Sequence, residues 1–82
     1  MQEDRDVWIV WGSMKTMLIH EHLPPDIEAC RTLEEVRDAC AQGMTDPTSQ
    51  GIPEGLTADD KRIPVAMEMG WKTAQYLLDR RK

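Results

Sequence analysis

Phenylalanine is absent from this chain, and tyrosine occurs once. Trp8, Trp11, Trp71 and Tyr76 therefore supply all its aromatic area, each able to bury about 150–250 Å². Cysteine is scarce as well. Cys30 and Cys40 are the only two, and their spacing fits neither a C-x-x-C redox pair nor a four-ligand zinc site. Two buried free thiols in a reducing cytoplasm are the expectation, since free cysteine packs as a small hydrophobe. No apolar run reaches the roughly 18 residues of a membrane span. Gln2-Glu3-Asp4-Arg5-Asp6 is mostly acidic, the wrong chemistry for a secretory n-region. Gly43, Gly51 and Gly55 match no phosphate-binding fingerprint. Ser13 has no histidine fixed beside it, and no oxyanion cradle is recognisable. These absences point to a cytoplasmic protein without a catalytic site, cofactor or membrane segment.

What is present is acidic. The net charge is −5 over 82 residues, and it is unevenly laid out. Residues 1–60 carry thirteen acids against four bases, a net of −9, whereas residues 61–82 carry two acids against six bases, a net of +4. An acidic body disfavours general nucleic-acid or anionic-membrane binding, while the basic end can still dock locally. A chain of this length makes one domain, 1–82, and buries only roughly 60% of its unfolded surface.

The most apolar stretch is Val7-Trp8-Ile9-Val10-Trp11, followed by Gly12-Ser13 and then Met14-Lys15-Thr16-Met17-Leu18-Ile19. Strand periodicity places Val7, Ile9 and Trp11 on one side and Trp8 and Val10 on the other. Gly12-Ser13 has the form of a two-residue type II′ connection. Folding back around it pairs Trp11 with Met14, Ile9 with Thr16 and Val7 with Leu18, and sets Trp8 against Met17. The expectation is a β-hairpin over 7–19 with both faces apolar, preceded by a frayed start at 1–6 and stopped by Pro24-Pro25.

Residues 26–42 allow two readings. In one, 26–31 form a third strand and a helix follows from Leu33, with Thr32 as N-cap and Glu35 completing a capping box. In the other, Pro25 is the first residue of a single helix to Gln42. Both end the helix at Gly43. A long loop over 43–57 comes next, of the kind that is usually mobile or functional. Ile63, Ala66, Met67, Gly70, Trp71, Ala74, Leu77 and Leu78 then form a stripe at helical spacing, predicting a helix over 64–81. The predicted fold class is a small α+β domain: an antiparallel hairpin, with a third strand in one reading, covered on one face by the helices at 33–42 and 64–81.

Two helices cover one side of such a hairpin. The other side, Trp8, Val10, Met17 and Ile19, is left as a partner face or a homodimer seam. Glu34, Glu35 and Asp38 share the outward side of the middle helix. With Glu28, Asp46 and Glu54 they make a negative face able to occupy the place of phosphates in a nucleic-acid-handling partner. His20 and His22 would project together from a strand, with Asp26 or Glu28 as a third metal ligand, a weak spacing from which no metal site is inferred.

Ala66-Met67-Glu68-Met69-Gly70-Trp71-Lys72-Thr73-Ala74 resembles the Ala-x-x-x-Gly core of DNA-binding helix-turn-helix proteins. The resemblance implies that Lys72, Thr73 and Gln75 face bases and that Arg80, Arg81 and Lys82 lie near phosphates. The chain departs from that pattern at Asp79, where the family packs an apolar residue. In size and charge alone, the chain looks like the small host-takeover and anti-defence inhibitors of bacteriophages, anti-CRISPR proteins among them. The leading expectation is thus a non-enzymatic protein that binds and modulates another macromolecule; a helix-turn-helix regulator is the alternative.

Overall fold

A computed structural model describes residues 4–18 and 22–82. It overturns the α+β expectation: no strand forms among the described residues, which fold into helices α1 (Asp6–Leu18), α2 (Pro25–Glu28), α3 (Leu33–Thr45) and α4 (Arg62–Arg80). Gly12 and Ser13 lie inside α1 and make no turn. None of the expected cross-strand pairs exists. The apolar residues of the first segment instead follow a helical period, with Val7, Val10, Met14 and Leu18 all fully buried. Those are steps of three and four residues, and they outweigh the alternation expected of a strand.

Several contacts fasten the start of α1. The Asp6 N–H donates to the Asp4 carboxylate at 3.0 Å, and the Asp4 N–H donates to the Arg31 carbonyl at 3.0 Å. Arg81, just past α4, forms ion pairs with Asp4 at 2.8 Å and Asp6 at 2.6 Å. Asp4 and Asp6 are therefore in contact with two distant segments; residues 1–3 of the expected frayed start lie outside the described residues.

The middle region takes one part from each sequence reading. Pro25 opens a helix, but it is the single turn α2, and Ile27 is its buried residue. A second start follows at Thr32, whose hydroxyl oxygen accepts the Glu35 N–H at 3.1 Å. The Glu35 carboxylate accepts from the Thr32 hydroxyl at 3.2 Å, so the reciprocal bond runs through the hydroxyl and not the Thr32 N–H. Helix α3 does not stop at Gly43; it continues to Thr45, with Gly43 buried beneath Met67. A Cβ on Gly43 would sit 2.6 Å from the Met67 Sδ, so here glycine serves helix packing and not a cap.

The connection from 46 to 61 is held down by its own contacts. Gln50 is buried, its side-chain amide donates to Gln42 at 3.2 Å, and its carbonyl accepts the Asp26 N–H at 3.0 Å. Gly51 has φ +89 and presses on Pro25, where a Cβ would meet the ring at 2.7 Å. Both facts require glycine there. Pro53 is fully buried.

Helix α4 begins at Arg62, two residues before Pro64, which sits in the first turn where a missing N–H is harmless. At 19 residues it is about 28 Å long and forms the spine of the molecule. Helices α1 and α3 pack on adjacent sides of it and barely touch each other. The exception is at Gly70, where Met14 of α1 and Cys40 of α3 meet over the missing side chain, 3.9 Å apart at sulfur. Helix α2 packs against α3, and the Trp11 indole N–H of α1 donates to its Ile27 carbonyl at 3.1 Å.

Candidate interaction surface

Helix α1 is apolar all round over Val7 to Trp11, and its neighbours cover only part of it. Val7, Val10, Met14 and Leu18 face inward, with Trp11 and Met17 half-buried at the flanks. Ser13 marks the edge toward α4, since the Thr73 hydroxyl donates to its Oγ at 3.1 Å. The remaining arc looks outward. It holds Trp8, 54% exposed, and Ile9, 53% exposed, together with Gly12, Lys15 and Thr16. Arg5, whose carbonyl accepts the Trp8 N–H at 3.0 Å, continues the arc by one turn. Residues three and four apart are surface neighbours on a helix. Arg5 therefore adjoins Trp8 and Ile9, both adjoin Gly12, and Gly12 adjoins Lys15 and Thr16.

Two features of this arc have no explanation among the described residues. The first is Gly12. It is exposed, in ordinary helical conformation, and a Cβ built on it meets no atom within 4 Å. Glycine in a helix interior costs roughly 0.5–1 kcal/mol relative to alanine, and nothing in the fold requires it. The second is the pair of cations. Arg31, Arg37, Arg62, Lys72, Arg80, Arg81 and Lys82 are each engaged: five in ion pairs, Arg80 over the Tyr76 ring at 5.6 Å, and Arg31 in a contact of its own. Arg5, Lys15 and Lys61 make no ion pair with any described residue. Two of these three bracket Trp8, Ile9 and Gly12.

The partner face expected from strand alternation is dispersed. Trp8 is outside, Val10 is fully buried on the opposite side of the same helix, Met17 is half-buried, and Ile19 lies outside the described residues. A homodimer seam along a hairpin has no hairpin to form it. The acidic cluster does lie together and exposed on α3, but local structure occupies most of it. Glu35 belongs to the Thr32 cap, and Asp38 pairs with Arg37 at 3.0 Å, leaving Glu34. Glu28 accepts the Leu23 N–H, Asp46 accepts from Thr48, and Glu54 pairs with His22.

Helix α4 runs without interruption through Gly70, so the turn that the helix-turn-helix resemblance requires is missing. Lys72 pairs with Glu68, Thr73 with Ser13, and Gln75 donates to Asp79; Arg80 and Arg81 are spent on Tyr76 and on Asp4 and Asp6. Of the histidine pair, His20 lies outside the described residues with Glu21, and the described residues gather no group of three metal-binding side chains. Among the described residues no pocket opens, and no helix is long and apolar enough to cross a membrane.

No protein-family model, curated protein or solved structure matches the chain. Ile9, Gly12, Arg5 and Lys15 were missed as interaction residues because strand alternation turns Ile9 inward and makes Gly12 a turn. The signal that finds them is the Val7, Val10, Met14, Leu18 spacing, which fixes the inward side and hence the outward one.

Proposed function

We propose that the chain is a non-enzymatic protein that docks on another macromolecule through the outward arc of α1 and modulates it. The observation that carries this reading is the adjacent pair Trp8 and Ile9, both more than half exposed on a helix whose other side is fully inside the core. Completing their burial is worth about 3 kcal/mol before the costs of association are met. Tryptophan is the residue most enriched at interaction hot spots. Small size and acidic charge fit the modulators that bacteriophages direct against host defences, and two buried free thiols suit a reducing compartment such as the cytoplasm.

The test is affinity capture with the tagged chain, compared across variants whose thermal melts match the parent. A partner should be recovered by the parent and by Glu34→Lys, and lost on Trp8→Ser combined with Ile9→Ser. Loss on Glu34→Lys with retention by the α1 variant would transfer the function to the acidic side of α3 and defeat this reading.

A further inference from the structure

We infer that the occupant of the α1 surface is an amphipathic α-helix of a partner protein whose apolar stripe is bracketed by two acidic residues about eleven positions apart. The inference rests on the docking role assigned to α1 and adds the chemistry of what docks. Three observations carry it. Trp8 and Ile9 supply an apolar centre. Gly12, beside them, leaves a flat spot with no atom within 4 Å of where a Cβ would stand. A convex helix with a central glycine is a surface that a second helix can approach closely, backbone toward backbone.

The third observation is charge. Arg5 lies a turn before the apolar centre and Lys15 a turn after it, and neither makes an ion pair with a described residue. In a chain of net charge −5, two cations without an ion pair among the described residues, at the two ends of one apolar strip, call for complementary carboxylates. Ten helical residues span about 15 Å. On a partner helix running alongside, carboxylates on one face at that separation fall about eleven residues apart, three turns of helix.

The same cations argue against other occupants. A second copy meeting the first arc to arc about a two-fold axis would bring Arg5 and Lys15 against an arc whose charges are again Arg5 and Lys15. A single-stranded nucleic acid could stack on Trp8, but the net negative charge repels a polyanion, and Ile9 and Gly12 offer a base nothing.

The probe is a fluorescein-labelled, alanine-based 14-residue peptide with Glu at positions 2 and 13 and Leu at 6 and 9, read by anisotropy in low salt. Its counterpart carries Lys at 2 and 13. The parent should bind the glutamate peptide at least tenfold more tightly than the lysine peptide. Arg5→Glu combined with Lys15→Glu should invert that preference while leaving the circular dichroism spectrum and melt unchanged. Gly12→Leu should weaken the glutamate peptide at least tenfold.

Equal affinity for the two peptides would overturn the acidic bracket while leaving α1 as a docking surface. Binding of neither, with capture of a partner still dependent on Trp8, would overturn the helical occupant and spare the proposed function. Tighter binding of a labelled dT oligonucleotide, or a dimer in sedimentation that is lost on Trp8→Ser, would assign the surface to nucleic acid or to a second copy and overturn the proposal.

Discussion

Gly70 and Gly12 both lie within helices, but the fold asks opposite things of them, and a matched pair of alanine substitutions measures the difference. At Gly70 a Cβ would stand 2.6 Å from the Met14 Sδ, 2.9 Å from the Met14 Cγ and 2.7 Å from the Cys40 Sγ. Met14 and Cys40 are both fully buried, and they belong to α1 and α3 respectively. Relief therefore requires the buried Met14 and Cys40 side chains, or the helices that carry them, to shift, and overpacking of this kind costs about 1–3 kcal/mol. At Gly12 a Cβ meets nothing within 4 Å. Alanine is better than glycine in a helix by roughly 0.5–1 kcal/mol at either site, so the gap between the two variants reports crowding alone.

Gly12→Ala should gain that roughly 0.5–1 kcal/mol, and Gly70→Ala should fall about 1–3 kcal/mol below it. Urea melts followed at 222 nm give both values, provided the slope m is unchanged. For a domain of this size each kcal/mol corresponds to roughly 4–8 °C in Tm. Adding Cys40→Ala to Gly70→Ala should return part of the loss, because side chains in contact couple. Equal stabilisation by the two alanines would refute the three-helix convergence at Gly70.

The remaining predictions concern titration. Burial pushes the Cys30 thiol up to about 11 and the Cys40 thiol up to about 12. Iodoacetamide at pH 8 should therefore label neither in the native protein at the rate of a peptide thiol, and Cys40 should lag behind Cys30, since thiolate is the reactive form; labelling at the peptide rate would show that these sites are open. A hydrogen bond from Arg81 holds the Asp4 carboxyl below its ordinary value of 3.8, against the opposing effect of burial. A depressed carboxylate adds stability above its unfolded pKa and loses it as pH falls through the folded one. Asp4→Asn should thus be less stable than the parent in urea melts at pH 7, with the gap closing below about pH 4; a gap that persists in acid would exclude the ion pair as its cause.

Where local chemistry decided the structure, the sequence was readable. Thr32 and Glu35 mark the start of α3 because the cap bonds are made within four residues. The stripe of Ile63, Ala66, Met67, Gly70 and Ala74 is buried as its spacing predicts, and Trp71, Leu77 and Leu78 pack against that core. Pro25 opens a helical turn, but whether it joins the next helix depends on where Ile27 is buried, which is a tertiary matter. The end of α3 failed for the same reason. Gly43 reads as a stop signal, yet Met67 of another helix occupies the space above it. The first segment was misread because β-branched and aromatic residues favour strands only where a sheet exists to receive them. Five consecutive apolar residues fit a period of 2 as well as one of 3.6. Met14 and Leu18, continuing Val7 and Val10 at steps of four, were the discriminating residues.

Changing the period does not remove the apolar surplus; it changes what lies beside it. A helix buries three or four of every seven residues, so Val7 to Trp11 cannot all go inside. Successive residues turn by about 100°. Once Val7, Val10 and Trp11 face inward, Trp8 and Ile9 must be the ones left out, as their exposure shows. In a strand, Trp8 would share its face with Val10 and Met17, an uncharged patch that fits any greasy partner. In the helix its neighbours are Arg5 and Gly12, with Lys15 one turn further on. The same surplus then acquires a sign and a shape: cationic at both ends and flat in the middle. A patch of that description discriminates among partners by charge as well as by grease. For this reason the test that separates glutamate from lysine peptides bears on the fold of residues 7–18 as well as on their role.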